Sequence, residues 1–196
     1  MKIAYTGNPS YGLAEAWAKR VNGTIDVKKN VRYDTDFFSR RNHWNFDDPE
    51  RRQGFAIESL NYDIVINNSA LHNFQQTILL KQIWDVWNEN KKQGRIINIG
   101  STADRANNGT DWLYPTEKKA LREYSLGLSM MSVWQDHPTK VSYISFGSLQ
   151  TSKVHKKHPG RTLMDLNKAV KVIQEIVDQD TDSVLSEYRI DPVQIK

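Results

Sequence analysis

The sequence contains no cysteine, which excludes disulfide staples and thiolate metal sites and leaves the redox compartment open. No apolar run approaches the length needed to cross a bilayer. The opening "MKIAYTGNPS" lacks the apolar stretch of a secretory leader, so the chain is expected to stay in the cytoplasm, with no membrane partner. Neither sign of charge dominates: the net charge is +4 over 196 residues and the pI about 9.2. So mild an excess suits a phosphate-bearing ligand as well as nucleic acid, and a solvated surface better than either. Nucleic acid is therefore not an expected partner. Repeats, low-complexity tracts and linkers are also missing, and the length suits one domain with a substantial core, spanning 1–196.

What is present is an alternation of short apolar runs with longer periodic ones. "KIAYTG" (2–7), "TIDVKK" (24–29), "YDIVINNSA" (62–70), "GRIINIGS" (94–101), "KVSYISFG" (140–147) and "SVLSEYRI" (183–190) read as strands. Helical spacing marks 13–21, 48–60, 76–92, 115–134 and 165–179, with Asp48 before Pro49 as a start signal. Strands that alternate with helices predict an α/β doubly wound parallel sheet, a Rossmann fold. In such a fold a helix separates the second strand from the third. Here "VRYDTDFF" (31–38) follows almost at once, so Tyr33–Thr35 is read as a short third strand without its crossover helix. The unpatterned segment 36–48 is then a loop over the adenine side.

Chemistry enters with "TGNPSYGLA". Gly7 at the strand end and Gly12 at the helix start would let backbone approach a diphosphate, with a helix N-terminus beside it. Ala14 stands where a third small residue is wanted; an ordinary strand–helix turn is equally open. Lys28 and Lys29 fall at the carboxyl end of the expected second strand. Cations there suit a ribose 2′-phosphate, whereas a carboxylate would suit a free 2′-hydroxyl, which favours NADP over NAD. Solvated charge is the plainer reading of the same pair.

"YPTEK" sets Tyr114 and Lys118 one turn apart on a helix, a spacing common on helix surfaces. Five motifs in order now resemble the short-chain dehydrogenase/reductase family: "TGNPSYGLA" its glycine-rich turn, "NNSA" (67–70) its Asn-Asn-Ala-Gly motif, "IINIGS" (96–101) the strand ending in a serine, "YPTEK" (114–118) its Tyr-x-x-x-Lys signature, and "SFGSLQT" (145–151) its Pro-Gly motif with a downstream threonine. Ser101 precedes Tyr114 by the family's customary interval. The resemblance implies a compact member that moves a hydride between a nicotinamide and a carbonyl or alcohol. It implies cofactor contacts at Gly7, Asn8, Ser10, Gly12 and Leu13, at Lys28, Lys29, Asp34 and Thr35 on the adenosine side, and at Asn67, Asn68 and Ser69. Gly147, Leu149 and Thr151 would hold the nicotinamide half, although Phe146 replaces the family's proline. The cofactor is expected to be NADP(H) rather than NAD(H).

The expected roles follow from acid–base chemistry. A phenol titrates near pH 10 and is a poor base unaided; an ammonium one turn along favours its phenolate. Tyr114 is thus expected as general acid/base, Lys118 as its tuner and, as the resemblance implies, ribose anchor, and Ser101 as the donor to charge building on the substrate oxygen. Many family members add an asparagine on the helix after the fourth strand; Asn73 is the nearest residue, and no assignment is made. His155 and His158 lie in a basic stretch without acidic company, so no metal site is expected. The family also implies a homodimer through the helices at 76–92 and 115–134, where Trp84 and Trp87 are as well explained as core. A nucleotide-sugar epimerase or isomerase, and a non-catalytic NADP(H) sensor, are the alternatives.

Overall fold

The computed structural model describes residues 1–27, 29–69, 71–105, 111–152, 156, 160–180 and 182–193. Lys28, Ala70, His155 and His158 lie outside the described residues.

Strand β1 (Lys2–Thr6) leads into helix α1 (Gly12–Arg20). Two-residue strands β2 (Ile25–Asp26) and β3 (Val31–Arg32) form an antiparallel hairpin. After β4 (Asp34–Phe38) the chain continues as α2 (Pro49–Glu58), β5 (Ile64–Asn67), α3 (Gln75–Glu89), β6 (Gly94–Ile99), α4 (Tyr114–Trp134), β7 (Thr139–Phe146), α5 (Leu166–Val177) and β8 (Glu187–Ile190). Six strands make one parallel sheet in the order β4-β1-β5-β6-β7-β8. The doubly wound expectation holds.

The sheet is buried on both faces, which is why its central strands are largely apolar: all four residues of "IVIN" in β5 are buried, three of them aliphatic. On one face Trp17 of α1 and the stripe Ala169, Val170, Ile173 and Ile176 of α5 pack over Ile3, Tyr5 and Ile97. On the other, Phe55 of α2, Leu79, Leu80 and Trp87 of α3 and Leu121 of α4 cover Ala4, Val65 and Ile96. Trp84 and Trp87 are core residues, 5% and 0% exposed. Helix starts follow local chemistry: the Asp48 carboxylate accepts from the Glu50 amide at 2.9 Å, and that of Asp165 from the Asn167 amide at 2.7 Å. No described helix is long and apolar enough to cross a membrane.

The reading of 24–38 needs correction. No helix separates β2 from β4, as expected, but β2 is outside the sheet. Asn30, at φ +52°, lies in the turn, and β2 folds back on β3. The strand paired with β1 is Asp34–Phe38, which starts one residue later and ends three residues later than the expected Tyr33–Thr35. From β4 the chain passes through α2 straight to β5 on the far side of β1. The winding therefore reverses between β1 and β5, and a crevice opens there at the carboxyl ends of the strands.

Candidate active site

The crevice begins at the β1–α1 turn. The Gly7 amide donates to Phe38 O at 2.9 Å, tying the turn to the end of β4. A Cβ on Gly7 would stand 3.1 Å from Ala14 Cβ and 3.2 Å from Asn68 Nδ2, so a side chain there would crowd the meeting of turn, helix and β5 loop. Gly12 has φ +59°, a conformation that glycine adopts freely. No side chain caps α1, which leaves its N-terminal amides and dipole directed at the crevice. The result is a cavity of about 520 Å³. Gly7, Asn8, Gly12 and Leu13 wall one side, Asn68 and Ser69 another, and Thr151 a third. Ser10 is exposed and contributes no wall. Leu149 pairs with Met164 just past β7, and the Gly147 amide donates to Ile190 O at 2.9 Å. These bring the "SFGSLQT" segment alongside.

Four further residues expected as contacts do not line the cavity. Lys29 belongs to the hairpin: its ammonium reaches the Asp178 carbonyl and lies 3.6 Å from Asp180, at the far end of α5. Asp34 pairs with Lys2 at the amino end of the sheet and ion-pairs Arg32 at 2.9 Å. Thr35, one residue on, accepts from Trp17 Nε1 at 3.1 Å in the interior. Asn67 is fully buried, and its amide donates to Asn98 Oδ1 at 2.9 Å and Gln76 O at 3.2 Å. The first three err with the strand assignment. Asn67 points down from the strand end instead of into the crevice.

The true end of β4 supplies Ser39, Arg40 and Arg41 to the cavity wall, with Trp44 and Phe46 beyond them. The Arg40 guanidinium pairs with Asp47 and donates to Asn45 Oδ1 at 3.0 Å. Among the described residues, Arg41 has no ion-pair partner. The signal missed was the alternation in "DTDFF" followed directly by "SRR": a strand and then two cations.

At the other end of the crevice, Ser101 follows β6 and Gly100, and Tyr114 opens α4 with Lys118 one turn on. Ser101 stands close enough to the Tyr114 phenol to lower its pKa, and Lys118 Nζ lies 5.5 Å from the Tyr114 ring centroid. The three expected catalytic residues do meet. Trp112 lies against Tyr114 with ring centroids 4.9 Å apart and planes 20° from parallel. Beneath them, the Ser101 amide donates to Tyr143 Oη at 3.4 Å, and Tyr143 and Ser145 donate to buried Asp104 Oδ2 at 2.9 and 3.1 Å.

The electrostatics differ from expectation. Burial raises the Tyr114 phenol above its ordinary value; the Ser101 hydroxyl opposes this, and the Glu117 and Asp104 carboxylates reinforce it. Lys118 does not pull Tyr114 down, because burial has weakened the ammonium itself. Its pKa falls to about 8 through desolvation, against the opposing pull of Glu117 and Asp104. Lys118 Nζ donates to Gln76 Oε1 at 2.5 Å. Gln76, rather than Asn73, is the partner from the α3 side, and nothing in the local sequence around "HNFQQ" announced it.

No protein-family model matches the sequence, and a search of curated proteins finds no match either. Solved structures do match. A short-chain dehydrogenase from Burkholderia cenocepacia in complex with NADP superposes with a TM-score of 0.67 at 13% identity, over 95% of this chain and 86% of that one. A 3-ketoacyl-(acyl-carrier-protein) reductase from Brucella melitensis complexed with NADH gives 0.69 at 15%, over 97% and 96%. A serine dehydrogenase complexed with NADP+ gives 0.70 at 14%, over 97% and 94%. Likeness at such identities establishes architecture, and the chain carries the short-chain dehydrogenase/reductase fold over nearly its whole length.

Proposed function

We propose that the protein is an NADP(H)-preferring oxidoreductase that acts on a small carbonyl or alcohol. One observation carries this reading: Ser101 and Tyr114, close enough for the hydroxyl to lower the phenol's pKa, with Lys118 beside them, share the carboxyl end of the sheet with the glycine-walled cavity. The cavity fits a dinucleotide's adenosine diphosphate half, since Gly7 and Gly12 leave bare backbone in its wall and uncapped helix amides face it. The nicotinamide would supply or accept the hydride. Tyr114, held protonated by burial, would give its proton to the oxygen that gains charge, and Ser101 would hold that oxygen. Lys118 would anchor the nicotinamide ribose and, while charged, steady the phenolate that Tyr114 leaves behind. NADP-bound neighbours on the same fold support the cofactor class. Preference for the 2′-phosphate rests on Arg41 beside Arg40, in place of the lysine pair. A homodimer through α3 and α4 belongs to this reading, with Ile78, Val133 and Trp134 as its exposed apolar residues, 38%, 53% and 79% accessible.

Titration with NADPH and NADH, followed by nicotinamide fluorescence, tests the proposal. Binding is expected, tighter for NADPH; absence of binding to both overturns it. Tyr114→Phe should keep the binding and abolish turnover of any carbonyl found to be reduced. A sensor would lose nothing measurable.

A further inference from the structure

Gln76 opens α3 with its side chain turned inward, 4% exposed. Its Nε2 donates to Asn67 O at 2.8 Å and Ile99 O at 3.0 Å, the last carbonyls of β5 and β6. Its Oε1 accepts from Lys118 Nζ at 2.5 Å. Asn67 Nδ2 donates in return to the Gln76 backbone carbonyl at 3.2 Å.

An amide has an oxygen with two acceptor lone pairs and one doubly donating nitrogen, and here both donors and one lone pair are used. Turning the amide over would set a carbonyl against two carbonyls and an N–H against an ammonium. The strand ends therefore fix which atom faces Lys118. We propose that Gln76 is a positioning residue: a strand-locked, uncharged acceptor that seats the Lys118 ammonium before any cofactor arrives. This rests on the dehydrogenase reading above. One side chain thereby joins the two arms of the site, because β6 carries Ser101 just beyond Ile99 and α4 carries Lys118.

The acceptor's neutrality has a further effect. Lys118 faces the Tyr114 phenol and Glu117 on its own helix and Asp104 from the 102–105 turn. From α3 it meets only an uncharged oxygen. A carboxylate at position 76 would hold the lysine proton; a thioether would offer it almost nothing.

The test uses protein labelled with ¹³C at lysine Cε and titrated by NMR, with the Lys118 signal assigned by its loss in Lys118→Arg. NADPH affinity is measured in parallel. Wild type should titrate near pH 8. Gln76→Glu should move the midpoint up toward the ordinary lysine value of about 10.4. Gln76→Met should move it down and weaken NADPH binding ~10-fold, the size expected for one hydrogen bond to a charged group. A midpoint that shifts with residue 76 supports the proposal even if wild type binds no NADPH, an outcome that sinks only the dehydrogenase reading. An unmoved midpoint in folded variants overturns it, whatever happens to thermal stability. Should Gln76→Glu fail to fold, the direction in Gln76→Met decides alone.

Discussion

Lys118 keeps its amine where charge is disfavoured, and this couples folding to pH. Its folded pKa of about 8 lies below the ordinary 10.5. Between those values the unfolded chain holds a proton that the folded protein has released, so stability rises with pH across that window. Against Lys118→Met, which cannot titrate, wild type should gain about 3 kcal/mol from below pH 8 to about 10.5. Urea melts at stepped pH would show it, with a flat difference below pH 8. Arg41 acts on the ligand instead. Its guanidinium has no ion-pair partner among the described residues, so Arg41→Ala should leave thermal stability within about 0.5 kcal/mol. The same change should cost roughly tenfold or more in NADPH affinity while sparing NADH, as paired fluorescence titrations would reveal. Neither property shows in the sequence: one depends on burial, the other on which strand precedes the arginine.

Among the elements, the β6–α4 connection is the most tightly specified. A Cβ on Gly100 would lie 2.0 Å from Tyr143 Oη and 2.1 Å from Cζ. That ring is fully buried and bonded to both the Ser101 amide and Asp104, so it has nowhere to move. Gly100→Ala should therefore destabilise the protein by roughly 1–3 kcal/mol through overpacking, seen as a lower thermal midpoint. It should also displace Ser101. Elements of this kind were readable from sequence wherever a period was sustained. The apolar stripe of α5 and the helix start at Asp48 were read in this way. Residues 24–38 did not, because whether "TIDVKK" or "DTDFF" joins the sheet is decided by pairing with β1, a tertiary event. That Ser101, Tyr114 and Lys118 come together was legible only through the resemblance of their segments to a family's motifs, since the Tyr-x-x-x-Lys spacing by itself is common on helix surfaces. Gln76 was not, since its bond to Lys118 spans 42 residues.

For the whole molecule, two cores clasp one sheet, and α3 and α4 form the layer whose outer side bears Trp134 and Ile78. If these helices pair two copies, Trp134→Asp should convert a sedimenting dimer to monomer while leaving the cofactor cavity, whose wall Trp134 does not join, able to bind NADPH. The route from α2 straight to β5 has a different consequence. β4 becomes an outer strand, the kind of rim on which another chain can add, but its outward groups are taken by side chains: the Thr35 amide donates to Asn22 Oδ1 at 2.9 Å and the Phe37 carbonyl accepts from Asn42 Nδ2. Asp34 and Asp36 sit exposed along that rim. Their like charges would meet across any strand-to-strand docking of two molecules, so the same short segment that leads into the cofactor wall also guards the protein against fibril-like self-association.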